Sequence, residues 1–329
     1  MKPLLRGAWA LLLSAATPLF AQNWDCRAVR LESGSAVGHG PEDFEFDPTP
    51  GASRLIVGSR PPFVVPVTAS GLGTPQPIAI EAKDIDVNSL HLIGLSAVID
   101  RDGTPLLYAI DKGRGVAVFE IQPGKLVYRK TLAGDLGNAN AVLALPNGHV
   151  YVSRGQGTTK LRWLVEALFG KPWAKLMFFD GTTWREEVRD LRFGNGVQIS
   201  PDGKTLYVAA FRGKEIRAYE RHDDGTLGET PRHIALSARP DNLKWSDDGK
   251  LTVAAHPSLF RSFLYTVNVG SPPSEVYEID VQGGSVERIY RNDGSPIAGA
   301  SSAQRKADRM FISQIVRPWL ADCVRKEKK

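Results

Sequence analysis

One pattern recurs along the 329-residue chain and narrows what it can fold into. A short polar lead is followed by an alternating apolar run, a turn around glycine and a second apolar run. The clearest copy is GNGVQISPDGKTLYVAAF at 194–211. The others are PDNLKWSDDGKLTVAAH from Pro240, NANAVLALPNGHVYVSR from Asn138 and LSAVIDRDGTPLLYAID from Leu95. Their turn glycines, Gly103, Gly148, Gly203 and Gly249, each follow Asp or Asn. Alternation broken by Asp-Gly or Asn-Gly is the local signature of a β-hairpin. Weaker copies start at Pro41 and Gly299, giving six. Between copies lie further strand-like runs: GVAVFEI, AKLMFFDG, KEIRAYER and SEVYEIDV. Two hairpins per repeat of about 45–55 residues is the content of a propeller blade. The pattern therefore predicts an all-β, six-bladed β-propeller, a single domain over residues 22–329. A β-sandwich with a second domain would leave the even spacing unexplained.

Composition agrees. Hydrophobic residues make up 42% and charged residues 23%, which excludes a disordered or collagen-like chain, and 32 Gly with 22 Pro suit many tight turns. The opening MKPLLRGAWALLLSAATPLFAQ has a basic start at Lys2 and Arg6, an apolar run and a small residue at Ala21. That is the form of a cleavable leader over residues 1–21, with an uncleaved anchor as the alternative. The expected location is exported, periplasmic or secreted. Losing Lys2 and Arg6 lowers the net charge from +5 to +3, and basic residues are scattered, so no nucleic-acid partner is expected. The two cysteines, Cys26 and Cys323, stand near opposite ends of the mature chain. In an exported protein an even count favours a disulfide, which would staple the ring where first and last blades meet. Two buried unpaired thiols are the alternative.

In a propeller the innermost strand of each blade lines a central channel. Counting back about eight residues from each turn reaches the start of that strand. The residues found are Glu42 and Asp43 in repeat one, Asn140 in repeat three, Asn195 in repeat four, and Asp241 with Asn242 in repeat five. Repeat two offers apolar residues around Ile93, and repeat six offers Ser301 and Ser302. Four of six blades thus aim oxygen-bearing side chains at one mouth. Carboxylate and carboxamide oxygens without Cys or His are hard donors, best suited to Ca²⁺. Glu42 and Asp241 would neutralise the ion while Asn140, Asn195 and Asn242 fill its shell. Taken singly, Asn-Gly and Asp-Asn have ordinary turn and capping roles; their coincidence across repeats is what points to a metal.

The stretches GPEDFEF, FGNGVQISPDGKTLYVA, RPDNLKW, AAHP and PPSEVYEI, with the widely spaced cysteines, resemble the paraoxonase/arylesterase family. That family is related to gluconolactonase- and strictosidine-synthase-like propellers. The resemblance covers most of the mature chain. It implies a calcium-dependent hydrolase of esters or lactones, with a terminal disulfide and Glu42, Asn140, Asn195, Asp241 and Asn242 as ligands of the catalytic calcium. Asp43 matches a ligand of a second, structural calcium, but the family's Asp after the third-blade Asn is here Ala141. A family histidine of the second blade is replaced by Ile93, with His91 two residues earlier; its partner histidine is also absent, with Asp111 nearby. His256, in AAHP, matches a family histidine beside the mouth. Glu42, Asp241 and His256 are the candidates for taking a proton from attacking water.

An insertion at 155–176 contains TKLRWLVEALFGKPWAKL. Trp163, Leu164, Leu168 and Phe169 are spaced to share one helical face, offset from Lys160, Arg162 and Glu166. The resemblance implies a helical lid giving an apolar substrate pocket; a helix packed on the rim is the alternative. Membrane contact through so short a face would be weak or absent. No G-x-S-x-G elbow, P-loop or H-E-x-x-H helix occurs, and the GRG at 113–115 lacks a strand–helix setting. The expected partner is a small ester or lactone. Two other functions remain open: a noncatalytic, calcium-stabilised propeller that binds a partner, and a sugar-acid lactonase.

Overall fold

The computed structural model describes residues 23–155 and 171–326. The expected leader, 1–21, lies outside them. Six sheets of four or five strands follow one another around an axis, each running from an inner strand outward, and all are antiparallel but for the outermost strand of blade 2, Ala79–Glu81. The inner strands of blades 1 to 6 are Phe44–Phe46, Leu92–Ile99, Ala139–Ala144, Gly194–Ile199, Arg239–Trp245 and Ala300–Lys306. The six-bladed propeller expected from the repeats is the fold observed, and the intermediate runs fall on third strands such as Gly115–Gln122, Ala174–Phe179, Glu215–Glu220 and Ser274–Ile279.

The turn glycines act as the pattern required. Gly103, Gly148, Gly203 and Gly249 have φ of 73–82°, a region that side chains with a Cβ rarely enter. Each donates its N–H to a carbonyl three residues back, on Asp100, Leu145, Ser200 and Ser246, at 2.8–3.2 Å. Equivalent turns join inner to second strands in four blades. The GRG at 113–115 is a similar tight connection between Pro105–Asp111 and Gly115–Gln122.

Alternation along each strand builds the core between blades. In blade 4, Tyr207 and Ala209 pack against Leu243 and Val253 of blade 5. Their neighbours Leu206 and Val208 face the other way, against Tyr151 and Phe178 of blade 3. Period-two side-chain direction lets one strand serve two interfaces. Second strands such as Val150–Arg154 are therefore buried on both faces.

Blade 6 closes the ring by taking its outermost strand from the other end of the chain. Trp24–Arg30 pairs antiparallel with Trp319–Arg325, setting Cys26 opposite Cys323. Those two form a disulfide with a sequence separation of 297. Buried Asp322 reinforces the seam. It accepts hydrogen bonds from Arg27 at 2.8 Å, Arg309 at 3.0 Å and the Leu72 N–H of blade 1 at 3.0 Å.

One helix was not foreseen in the sequence. Leu259–Thr266 follows the second strand of blade 5, capped by Ser258, whose hydroxyl accepts from Arg261 N–H at 3.3 Å. It buries Ser262 and Tyr265 and leaves Phe260 and Phe263 exposed. Among the described residues no helix is long and apolar enough to cross a membrane.

Chain entropy puts the effect of so long a disulfide loop near ~5 kcal/mol, an upper figure. Cys26→Ala with Cys323→Ala should lower the urea midpoint and raise the slope, because the unfolded chain without the crosslink exposes more surface. A loss under ~1 kcal/mol would mean that strand pairing alone closes the ring.

Candidate metal centre and mouth of the channel

Five of the six inner strands carry a register slip at their start. The slips lie between Leu92 and Leu95, Ala139 and Ala141, Gly194 and Val197, Pro240 and Leu243, and Ala300 and Ala303. They contain the residues reached by counting back from the turns: Ile93, Asn140, Asn195, Asp241 with Asn242, and Ser301 with Ser302. In blade 1, Glu42 and Asp43 directly precede the strand. A bulge bends its strand and re-aims the side chains it holds. Here it turns successive side chains toward the axis. Asn138 and Phe193, two residues ahead of Asn140 and Asn195, adopt left-handed φ of 56° and 62° as the chain enters the bulge. Backbones touch at this level. A Cβ on Gly196 would lie 2.6 Å from Asn242 Cα and 2.7 Å from the Asp241 carbonyl, and one on Gly94 2.6 Å from the Asn140 carbonyl.

The polar side chains at this level fall into two hydrogen-bonded groups. Asn242 Nδ2 donates toward the Glu42 carbonyl at 3.5 Å and Ser301 Oγ at 3.4 Å. The Asn195 side chain lies near enough to Asp241 to lower its carboxyl pKa. Asp241 Oδ2 meets His256 Nε2 at 2.9 Å, and His256 Nδ1 meets Ser262 Oγ at 2.9 Å. Ser262 Oγ donates to the Ser258 carbonyl at 2.8 Å, so it accepts from Nδ1–H. The ring is thus locked by the blade 5 helix, and one proton is held between Nε2 and the Asp241 carboxyl. Asn140 occupies the matching bulge of blade 3, half-buried.

The electrostatics of this ring favour a cation. Burial pushes the Glu42 carboxyl up to about 7; Lys112 opposes this, while Asp241 and Asp43 add to it. Burial also raises Asp241, while His256 and Asn195 oppose this. Two carboxyls are therefore held close in a setting that penalises their charge. Asn195 Oδ1 is buried and has no hydrogen-bond partner. Buried acceptors are rarely left so. Glu42, Asn140, Asn195, Asp241 and Asn242 are the oxygen donors that could hold a hard cation, and the spare Asn195 oxygen fits one. Among the described residues no three His, Cys, Asp or Glu side chains gather as a metal group, so a cation here would take carboxamide oxygens as well.

Asp43 behaves differently from the rest of the set. Its Oδ1 accepts from Phe44 N–H at 2.9 Å and Ser302 Oγ at 2.6 Å, and its Oδ2 from Leu95 N–H at 2.9 Å. Lys244 Nζ lies 3.0 Å from Asp43 Oδ1 and 2.8 Å from Glu45 Oε1. Burial pulls this ammonium's pKa down, but Asp43 and Glu45 together hold it above the usual lysine value. The donor set expected for a second calcium thus lacks an oxygen at Ala141 and already carries a lysine on Asp43. A second ion does not fit.

Ile93 is buried in the blade 2 bulge. His91 is half-buried, its ring 6.5 Å from that of His39, and burial followed by the charge of Lys112 lowers its pKa. Asp111 is structural: it accepts from His91 N–H at 3.0 Å and pairs with Arg114 at 3.2 Å. Sequence reasoning missed Lys112, whose charge reaches both Glu42 and His91. It also missed Phe193 and Phe211, whose tilted rings lie 5.1 Å apart, with Phe211 in turn 5.4 Å from His256. A signal existed. The last residues of second strands form an outer tier opposite the inner-strand starts, as His256 opposite Arg239 and Asp111 opposite Leu92 show. Trp163, Leu164, Leu168 and Phe169 lie outside the described residues.

The fold and the mouth define a six-bladed propeller with a ring of hard oxygen donors at one end of its channel. The Arylesterase family model matches residues 70–321, and the chain belongs to that family. Serum paraoxonase/lactonase 3 of Rattus norvegicus is 29% identical over 255 residues, 73% of this chain and 71% of the relative. Serum paraoxonase/arylesterase 1 of Homo sapiens is 27% identical over 255 residues, 72% and 70% of the two chains. A solved gluconolactonase from Xanthomonas campestris superposes with a TM-score of 0.56 at 19% identity, covering 91% of this chain and 90% of that one. Regucalcin of Agrobacterium tumefaciens, described as calcium-binding, gives 0.56 at 14% identity, covering 92% and 96%. At those identities the structural likeness speaks to the fold.

His256→Ala strands the Asp241 carboxylate in a buried site. In chelator it should cost about 3 kcal/mol in urea unfolding, as loss of one partner of a buried pair does. Gly196→Ala drives a methyl into blade 5 backbone and should cost about 1–3 kcal/mol by the same assay.

Proposed function

We propose that the chain is an exported, calcium-dependent hydrolase of esters or lactones working at this mouth. The observation that carries the reading is the buried, unpartnered Asn195 Oδ1 set beside the Asp241 and Glu42 carboxyls. Glu42, Asn140, Asn195, Asp241 and Asn242 would hold the ion. A calcium ion there supplies Lewis acidity toward a carbonyl oxygen and its developing negative charge. His256, pinned by Ser262, fixes the direction of Asp241 and so acts as a positioning residue. Both its ring nitrogens are engaged, and Asp241 is bonded to His256 and lies beside Asn195. Glu42 is the partly exposed carboxyl of the three candidates and is assigned to take the proton from attacking water. Phe193 and Phe211 offer an apolar wall beside the ring for the acyl or alcohol part of a substrate.

The names of the relatives support esters and lactones as substrates, and family membership supports hydrolysis. The disulfide suits an oxidising compartment, so residues 1–21 are read as a cleaved leader and the mature chain as periplasmic or secreted. Ile93, where the resemblance expects a histidine, favours a second reading: a noncatalytic propeller stabilised by calcium.

An assay on an aryl acetate, a δ-lactone and an aldonolactone separates these. Chelation should abolish hydrolysis and added Ca²⁺ restore it. Asn195→Ala should weaken activity and Ca²⁺ affinity, the latter roughly 10–100-fold. Activity untouched by strong chelator sinks the mechanism. Equal background for wild type and Asn195→Ala on all three substrates gives the noncatalytic reading.

A further inference from the structure

The channel below the mouth holds a charge arrangement that the hydrolytic reading does not use. Lys244 lies two residues after Asn242 on the inner strand of blade 5, and both line the same cavity in the channel. Its Nζ passes blade 6 and reaches two carboxylates of blade 1, Asp43 at 3.0 Å and Glu45 at 2.8 Å. The Lys244 and Asp43 side chains are each only 5% exposed. Beside them is a polar cavity of about 20 Å³, lined among others by Asp43, Glu45, Ser96, Gln198 and Lys244. That is room for one water.

Two carboxylates of blade 1, with the Ser302 hydroxyl of blade 6 bonded to Asp43, are the kind of donors that a hard-cation site uses. The ammonium already bonds both carboxylates, from the space an ion would need. We propose that Lys244 is a covalently tethered cation that takes the place of a channel metal, so that the wild-type chain binds no exchangeable ion there. Removing the ammonium without refilling its space turns Asp43 and Glu45 into a divalent-cation site. The proposal concerns the difference in ion count between variant and wild type. It stands apart from the reading of the mouth, whose failure would show as a wild-type count of zero.

The test is native mass spectrometry with Ca²⁺, paired with thermal unfolding in EGTA and in millimolar Ca²⁺. Lys244→Asn should carry one more Ca²⁺ than wild type. Its Tm in EGTA should fall about 5–10 °C below wild type and largely recover with Ca²⁺. Lys244→Met keeps the bulk and loses the charge, so its Tm should fall in both buffers with no ion gained. A folded Lys244→Asn with the wild-type ion count overturns the proposal, as does a wild-type chain that holds a second Ca²⁺. Should Lys244→Asn fold only with Ca²⁺, that dependence supports it. Should it fold in neither buffer, Lys244→Ser and the wild-type count decide by the same criteria.

Discussion

The mouth exists because six inner strands are held against one another around an axis, and that contact survives only while the ring is closed. Closure is concentrated in blade 6, where Trp24–Arg30 completes a sheet begun at the far end of the chain. The Cys26–Cys323 bond and the bonds of Arg27, Arg309 and Leu72 to Asp322 fix this seam. The tolerance it must keep is visible at Gly196 and Gly94, where even a methyl would strike a neighbouring blade. Oxygen donors more than 190 positions apart in sequence, such as Glu42 and Asp241, influence each other because of that closure.

Much of this was legible in the sequence because the hairpins are equal in length. An Asp-Gly or Asn-Gly turn marks one end in four blades, and the same count back reaches the other, so Asn140, Asn195 and Asp241 could be aligned without knowing the bulges. The bulges themselves were hidden, since a slip of one residue leaves no mark in alternation. Lys244 was hidden for a related reason. In NLKW it reads as an ordinary polar position facing solvent, and only the closed ring shows that its face looks into the channel. The helix Leu259–Thr266 was masked by its length, two turns that periodicity does not separate from a loop. His256 was marked by AAHP, but Lys112, Phe193 and Phe211 were passed over because only the starts of inner strands were counted and not the ends of the second strands paired with them.

The channel and its mouth treat negative charge in opposite ways. At depth, Asp43 and Glu45 are met by an ammonium on the same polypeptide. At the mouth, Glu42 and Asp241 crowd each other with Lys112 as a partial counter-charge, and Asn195 keeps an acceptor in reserve. The fold thus satisfies one pair internally and leaves the other short of positive charge.

Borrowing the outermost strand of blade 6 from the opposite end also sets a timetable for synthesis. Trp24–Arg30 leaves the ribosome about 290 residues before Trp319–Arg325. At ordinary elongation rates that is about 15–60 s with one strand edge unpaired. Individual blades can form meanwhile, but the toroid cannot lock until translation is nearly done. The two thiols can meet only then, so the Cys26–Cys323 bond is made after nearly the whole chain has been synthesised.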